Sequence, residues 1–281
     1  MARCRGLFRP AAVIAVVFVC ASCSRSPTGP MDNTWRLFPG RVERFSVPAF
    51  RNNRPCWVYL PPGYAQSRER YSTLYVTDGE YVFDATGGMH VNRICEDLIR
   101  RREMRPLIVI AIGELDGVRS MDLSPWPDNT RSKPNGGGDV FLRAIRDTLK
   151  PAVDRKYRTL SDAGHTGIAG VSLGGLLAAY AGFAFDSTFG NVAAMSPSYW
   201  WAFGQIELFA KSRGRPRLLV RYYQDTGYPN DNGIFGMERT LLTQGFVLGR
   251  DLMSVTVEGA EHKNSAWEHR FPTMLRFIYP P

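Results

Sequence analysis

The stretch Thr166-Gly167-Ile168-Ala169-Gly170-Val171-Ser172-Leu173-Gly174-Gly175-Leu176-Leu177-Ala178-Ala179-Tyr180 is typical of a strand, a tight turn and a helix. Its centre, Gly170-x-Ser172-x-Gly174, matches the nucleophile-elbow pattern. A serine on such a turn has a strained backbone, so side chains two residues to either side would collide with the neighbouring strand and helix. We therefore expect Ser172 to project its hydroxyl from the carboxyl edge of a sheet. The Leu173 amide would then lie at a helix N-terminus, where it can stabilise an oxyanion.

The same pentapeptide has a simpler interpretation. A glycine-rich turn between a strand and a helix can carry a serine that only caps the helix, and short motifs match by chance. Here an apolar run precedes the motif and a run of helix formers follows it. That context is the one the motif requires, and it favours a nucleophile.

Length and composition are those of an ordinary globular chain. The 281 residues carry a formal net charge of +9, and a single α/β domain of this size can bury a large core. The basic residues are scattered, with clusters only at 100–102 and 213–217, and no nucleic-acid-binding signature accompanies them. We therefore expect no nucleic-acid partner.

Residues 1–23 are predicted to be a targeting segment rather than part of the fold. Three arginines among the first nine residues precede an apolar run at 11–19, which is too short to span a bilayer as a lone helix. The small residues before Cys23 resemble a bacterial lipoprotein signal, in which Cys23 would carry a lipid and provide the only membrane attachment. A plain secretory peptide cleaved near Ala21 or Ser22 and an uncleaved anchor are the alternatives. All three predict export to the periplasm, the cell envelope or the medium.

Two cysteines remain in the expected domain. An oxidising compartment would permit a bridge between Cys56 and Cys95. Cys56 lies in an apolar strand pattern and Cys95 on the apolar face of a helix pattern, so two independent buried thiols are favoured.

The rest of the chain predicts one α/β domain. Residues 24–39 are interpreted as a linker and 40–281 as the domain. An antiparallel strand pair opens the domain, and strands then alternate with helices, which predicts a mainly parallel sheet with helices on both faces. The strands after the pair are predicted at 73–77, 107–112, 168–171, 191–195, 217–223 and 253–257. The helices are predicted at 87–101, 139–157, 176–180, 236–244 and 267–278, with Pro151 a candidate kink.

A long segment, 113–138, is predicted to be an irregular loop, and loops of that length are usually functional or disordered. It is a candidate wall of a substrate pocket, together with the aromatic residues Tyr81, Trp126, Tyr199 and Tyr228. Trp200 and Trp201 would line the pocket or brace the sheet, and bracing is favoured.

A serine hydroxyl needs a base to become a nucleophile at neutral pH. Parallel α/β sheets place function at the carboxyl ends of their strands. His165 precedes the elbow strand and is at the opposite edge, His90 is on the first helix, and His269 is inside the last helix. His262 directly follows the last strand, so it is the predicted base.

The third residue of a hydrolase triad orients the imidazole and lies between serine and histidine in the sequence. Asp225 and Asp231 follow the strand predicted at 217–223. Asp231 is preferred because it lies further out on the loop, whereas Asp225 can hold the turn through its own backbone. Glu258 and Glu261 are weaker candidates.

Several stretches together resemble the putative esterase (esterase D-like) branch of the α/β-hydrolase superfamily. That branch includes feruloyl and acetyl xylan esterases, enterobactin esterases and mycolyltransferase antigens. The resemblance covers residues 55–278 and implies the α/β-hydrolase fold. The matching stretches are 58–64, 76–80, 141–157, 170–175, 196–201 and 258–262, followed by Trp267.

The resemblance implies Ser172 as nucleophile, His262 as base, and an oxyanion hole made by the amides of Leu173 and Glu80. It implies hydrolysis of a small-molecule or glycan ester through an acyl-enzyme, without a metal or an organic cofactor. Acyl transfer to a sugar or lipid alcohol, and a non-catalytic surface-binding lipoprotein on the same scaffold, remain alternatives. The sequence does not indicate an oligomeric state.

Overall fold

The computed structural model describes residues 40–48, 50, 53–83, 86–227 and 233–281. The predicted signal segment, the linker and Cys23 therefore lie outside the described residues. Across the described ranges, every helix is too short or too polar to cross a membrane.

The strands of the described residues form one mixed sheet in the order β1-β2-β4-β3-β5-β6-β7-β8. The first two pairings, β1 with β2 and β2 with β4, are antiparallel, and the remaining pairings are parallel. This is the predicted α/β-hydrolase-like sheet with an antiparallel N-terminal pair. The strands are β1 (Arg41–Phe45), β2 (Cys56–Leu60), β3 (Ser72–Val76), β4 (Leu107–Ile112), β5 (Thr166–Val171), β6 (Asn191–Met195), β7 (Arg221–Thr226) and β8 (Leu252–Thr256).

Helices cover both faces of this sheet. They are α1 (Val91–Arg100), α2 (Arg119–Leu123), α3 (Gly138–Ala144), α4 (Lys150–Lys156), α5 (Leu173–Ala184), α6 (Gln205–Arg213), α7 (Ile234–Thr243) and α8 (Asn264–Ile278). Apolar side chains from α3 to α7 pack on one face, and those from α1 and α8 pack on the other. The central strands β4, β5 and β6 are buried along their whole length, which explains their continuous apolar sequences.

The helix predicted at 139–157 is observed as one helical run in three parts. A π-helical segment, Ile145–Leu149, separates α3 from α4, and Pro151 is in the first turn of α4. Proline has no amide to donate and its ring crowds the preceding turn. A π-helical turn is a known way to absorb such a defect. The predicted irregularity at Pro151 is therefore present as a π segment just before the proline.

The strand predicted at 217–223 is wrong in its position. The observed strand, β7, pairs with β6 from Arg221 onward and ends at Thr226. Leu218 and Val220 suggested an earlier start, but each is 46% exposed and precedes the sheet. The polar residues after Tyr223 are instead buried inside the strand, and Asp225 is one of them.

Both cysteines of the domain are free and buried, as favoured from the sequence. Burial raises the pKa of the Cys56 thiol to about 12 and raises the pKa of Cys95 further above its ordinary value. Both thiols are therefore protonated at neutral pH and behave as small apolar side chains.

A buried ion pair joins the start of β2 to the segment after β4. Arg54 donates to the Gly113 carbonyl at 2.8 Å and to the carboxylate of Asp122 on α2, and its guanidinium lies 4.8 Å from the centre of the Phe141 ring. The side chains of Arg54 and Asp122 are 3% and 1% exposed. The predicted irregular loop 113–138 therefore contains a short helix, α2, which is held against the sheet by a charge pair.

We expect Asp122→Ala to destabilise the fold by about 3–5 kcal/mol, because it leaves the buried guanidinium of Arg54 unpaired. The double variant Arg54→Met/Asp122→Leu should recover most of that loss, since it removes both charges. Urea unfolding followed by circular dichroism measures both free energies. Asp147→Asn, which breaks an exposed pair with Arg146, is the control and should change stability little. Equal stability of Asp122→Ala and the parent would contradict this account.

Candidate active site

Ser172 lies between β5 and α5 in a conformation that few residues other than glycine adopt, with φ 58° and ψ −119°. Its amide donates to the Met195 carbonyl at 3.0 Å, and its own carbonyl accepts from Leu176 at 3.1 Å and from Ser198 at 3.0 Å. These bonds connect the serine turn to the end of β6, to α5 and to the segment after β6. The strain is therefore maintained by the surrounding structure, as at many functional sites.

The glycines on either side of Ser172 are required by close contacts. A Cβ at Gly174 would overlap the hydroxyl oxygen of Thr77, and a Cβ at Gly170 would overlap the backbone of Gly174. Thr77 directly follows β3, the neighbour of β5, and its hydroxyl oxygen has no hydrogen-bond partner among the described residues. The serine turn and the chain after β3 are therefore packed together without space for a methyl group.

The resemblance assigns an oxyanion hole to two backbone amides, those of Leu173 and Glu80. The Leu173 amide opens α5, and a helix leaves its first-turn amides without partners inside the helix. Glu80 lies in a 3₁₀ turn after β3, Gly79–Tyr81, whose hydrogen bonds use the amides of Tyr81 and Val82. Neither of these two bonds uses the Glu80 amide.

Hydrogen bonds of the charged side chains Asp78 and Glu80 hold the 3₁₀ turn in place. Asp78 has φ 56°, is buried, and accepts two hydrogen bonds from Arg119, at 2.6 and 2.9 Å. Burial lowers the pKa of Arg119, but the hydrogen bonds and charge of Asp78 outweigh it, so the pKa of Arg119 is raised. The carboxylate of Glu80 accepts from the Glu114 amide at 2.6 Å. The segment after β4 therefore clamps the backbone that carries the Glu80 amide.

Ser198 is a neighbour of Ser172 that sequence reasoning did not single out. The two hydroxyl oxygens are 3.3 Å apart, and Ser198 is 3% exposed. It was quoted only as part of the stretch 196–201, and no spacing rule assigns a role to a serine 26 residues beyond the elbow. The contact follows from β6 ending beside β5, which brings the chain after β6 over the serine turn.

His262 lies in the segment between β8 and α8, at the same carboxyl edge as Ser172, and is exposed. Its ring packs against the Trp267 indole with 4.9 Å between centroids and planes at 82°. A Cβ at Gly227, which follows β7, would overlap the Ala260 carbonyl. The segments after β7 and β8 are thus in close contact two residues before His262. Asp231 itself lies outside the described residues.

Asp225, the alternative acid, is inside β7 rather than in the following loop and is fully buried. One carboxylate oxygen accepts from the Ser196 amide at 3.0 Å and lies 3.4 Å from the Arg270 guanidinium. The other oxygen accepts from the Tyr223 hydroxyl at 2.8 Å. Burial raises the pKa of Asp225, and the three partners oppose that rise. Its carboxylate is committed to the protein interior.

The other histidines have partners away from the serine turn. His165 lies before β5 with its ring nitrogen 2.8 Å from Asp162, at the edge opposite Ser172. His90 lies 2.8 Å from Glu268, and His269, inside α8, bonds the Ser265 carbonyl. Among the described residues, no group of three His, Cys, Asp or Glu side chains is arranged to hold a metal ion.

The aromatic candidates divide between core and surface. Tyr199 is buried and bonds the Tyr222 hydroxyl at 2.7 Å, so the expectation that it lines a pocket is wrong. Trp201 is buried and donates to the Trp126 carbonyl at 2.8 Å, as expected for a bracing residue. Trp200 is 44% exposed, and Tyr81, in the 3₁₀ turn, is 48% exposed. Tyr228 lies outside the described residues.

The family model described as "Putative esterase" matches residues 48–232. The chain is 35% identical over 190 residues to the siderophore enterobactin esterase of Emericella nidulans, a match that covers 52% of this chain and 63% of the relative. It is 30% identical over 185 residues to the iron(III) enterobactin esterase of Escherichia coli O6:H1, covering 64% and 42%. The chain thus spans less than two thirds of either enzyme. A Bacillus subtilis protein of unassigned function, YbbA, is 24% identical over 81% of this chain and 93% of its own.

Solved structures share the fold. A ferulic acid esterase superposes with a TM-score of 0.67 at 18% identity, covering 86% of this chain and 98% of the other. The enterobactin esterase of Shigella flexneri, solved in the presence of enterobactin, gives 0.67 at 22% identity, covering 85% and 58%. At these identities, the likeness establishes the architecture alone.

The contact between Thr77 and Gly174 makes a sharp prediction. We expect Gly174→Ala to lower the free energy of unfolding by about 1–3 kcal/mol, because the new methyl group overlaps the Thr77 hydroxyl. Thr77→Ala should cost little alone and should restore the stability of Gly174→Ala. Thr77→Ala should not restore Gly170→Ala, whose methyl group meets backbone atoms. Additive effects of Gly174→Ala and Thr77→Ala in urea unfolding would contradict this packing.

Proposed function

The chain belongs to the putative esterase family, and from that premise we propose that it is a serine carboxylic-ester hydrolase. Ser172 is the nucleophile, His262 is the general base, and Asp231 orients the imidazole. The observation that carries the proposal is the strained backbone of Ser172, which is held between β5 and α5 by three hydrogen bonds. Such strain in a residue other than glycine is concentrated at functional sites.

Acylation uses groups at one edge of the sheet. His262 takes the proton of the Ser172 hydroxyl, and the oxygen attacks the ester carbonyl carbon. The amides of Leu173 and Glu80 donate to the oxyanion, and each contributes about 3 kcal/mol to lowering the barrier. Cleavage of the carbon–oxygen bond then releases the alcohol, which receives the proton from His262.

Deacylation repeats these steps with water. His262 takes a proton from the water molecule, whose oxygen attacks the acyl-enzyme, and the same two amides hold the second oxyanion. Collapse of that intermediate returns the proton to Ser172 and releases the carboxylic acid. An alcohol in place of water would complete an acyl transfer, so the acceptor alone separates the two reactions.

The substrate is proposed to be a carbohydrate, phenolic or siderophore-type ester. Relatives named for enterobactin and ferulic acid support this class. In this chain, Trp200 follows Ser198 by two residues, is half exposed, and has the Arg131 guanidinium 4.9 Å above its ring. Tyr81 is exposed beside the Glu80 amide. Exposed aromatic rings on the segments that carry Ser198 and Glu80 suit aromatic acyl groups or sugar rings.

Export is proposed from the sequence of the N-terminal segment. The arginines, the short apolar run and the small residues before Cys23 support removal of residues 1–23, with a lipid on Cys23 of the mature chain. Residues 24–39 would then tether the domain, 40–281, to the envelope. Mass spectrometry of the mature N-terminus distinguishes this from cleavage near Ala21.

Ser172→Ala should lower the hydrolysis of p-nitrophenyl butyrate at least a thousandfold, because the acyl-enzyme can no longer form. It should also abolish labelling by a fluorophosphonate probe. Ser212→Ala, an exposed serine on α6, is the control and should retain full activity and labelling. Undiminished hydrolysis by Ser172→Ala would overturn the assignment. A panel of feruloyl, acetyl-sugar and catecholate esters, with and without added alcohol, then identifies the acyl group and the acceptor.

Asp78→Asn should lower kcat about tenfold with little change in KM, because the loss of the charge and of one acceptor oxygen weakens the hold of Arg119 on the turn that carries the Glu80 amide. Asparagine tolerates the positive φ of this position, so the variant removes charge without new backbone strain. Affinity for a boronic acid, which mimics the tetrahedral intermediate, should fall by the same factor. Asp162→Asn, at the opposite edge of the sheet, is the matched control. An unchanged kcat and boronate affinity would show that the ion pair between Asp78 and Arg119 has no part in catalysis.

A further inference from the structure

A buried polar network lies directly behind the imidazole of His262. Its members are on β7, on the turn after β6 and on α8: Asp225, Ser196, Trp267 and Arg270, each of which is less than 8% exposed. The described mechanism uses none of them. A buried carboxylate and a buried guanidinium are costly to desolvate, so their place in a network that ends at the ring packed against His262 calls for a specific reason.

The network begins at Asp225 and fixes the backbone of Ser196. The Ser196 amide donates to the Asp225 carboxylate at 3.0 Å and to its carbonyl at 2.9 Å. Ser196 has φ 39°, a left-handed conformation that these bonds stabilise. Arg270 lies 3.4 Å from the same carboxylate and donates to the Ser196 hydroxyl at 2.8 Å.

The network ends at the indole of Trp267. Its ring N–H donates to the Ser196 hydroxyl oxygen at 3.2 Å, so the plane of the indole is fixed by a hydrogen bond as well as by packing. The His262 ring stands nearly perpendicular to that plane, at 82°, with 4.9 Å between the centroids. This is the edge-to-face arrangement that aromatic rings favour.

We propose that Trp267 is a positioning residue for His262, held in place by Ser196, Arg270 and Asp225. His262 is exposed and lies in a connecting segment, and its edge-to-face contact with the indole restricts the orientation of its ring. The orientation of the indole is in turn set by its hydrogen bond to Ser196. Asp225 therefore acts on the base through Ser196 and Trp267 rather than as the acid of the triad. This inference rests on the proposed role of His262.

Trp267→Phe tests the inference, because it keeps an aromatic ring but removes the N–H that fixes its plane. We expect kcat for p-nitrophenyl butyrate to fall about tenfold with KM within twofold, since a small misplacement of a catalytic group slows chemistry strongly. Ser196→Ala removes the acceptor of the same hydrogen bond. It should lower kcat by a similar factor, and the double variant should be no worse than either single variant.

Trp201→Phe is the matched control. It also removes a buried indole N–H bond, to the Trp126 carbonyl, but away from His262. We expect it to lower the melting temperature as Trp267→Phe does and to leave kcat unchanged. Equal losses of kcat in both variants would indicate a general effect of instability and would overturn the inference.

The decisive measurement is a double-mutant cycle with His262→Ala. If Trp267 acts through the imidazole, Trp267→Phe should have no further effect on the residual kcat of His262→Ala. A tenfold loss in both backgrounds would overturn the positioning role. Full activity of Trp267→Phe beside an impaired His262→Ala would also overturn it, while leaving the proposed function intact. Full activity of His262→Ala would instead remove the proposed function itself.

Discussion

The structure depends on the close packing between the segments that follow β3 and β5 at the carboxyl edge of the sheet. A Cβ at Gly174 would overlap the Thr77 hydroxyl, and a Cβ at Gly170 would overlap the backbone of Gly174, so neither glycine has space for a methyl group. Ser172, between these two glycines, has a positive φ. The contact between Thr77 and Gly174 joins the serine turn to the chain that continues into the 3₁₀ turn with Glu80. Ser172 and the turn that carries Glu80 are therefore placed relative to each other by packing within one layer of the sheet.

Ion pairs hold the segment after β4 in place, in addition to apolar packing. Arg119, in the segment after β4, donates to Asp78, which lies 41 residues earlier in the sequence. The helix that carries Arg119, α2, is held in place by the ion pair between Arg54 and Asp122. These pairs are buried or half-buried, where opposite charges attract more strongly than in water. Because of these pairs, a long connecting segment with little regular structure holds the backbone of the 3₁₀ turn that contains Glu80.

Features set by local sequence could be predicted, and features set by distant contacts could not. The strands β4 and β6 were predicted at their observed bounds, because an apolar run of five or six residues between turn residues has the length of a buried strand rather than of a helix. The elbow was predicted because its glycines and serine are adjacent in the chain. The start of β7 was wrong because exposed apolar residues at 218 and 220 imitate a strand. The ion pairs of Arg119 and Arg54 could not be predicted from the sequence, because their partners are distant in the chain and meet only in the folded sheet.

The two aspartates near the end of β7 illustrate the same division. From the sequence, Asp225 and Asp231 were competing candidates for one role. The structure puts Asp225 inside the strand, where burial raises its pKa and Tyr223, Ser196 and Arg270 occupy its oxygens. A carboxylate held by three partners inside a strand is a poor candidate for orienting the imidazole of His262 during the proposed reaction. Asp231 follows the end of β7 in the sequence, so in our proposal the two aspartates have separate roles: Asp225 holds Ser196 and Trp267, and Asp231 orients His262.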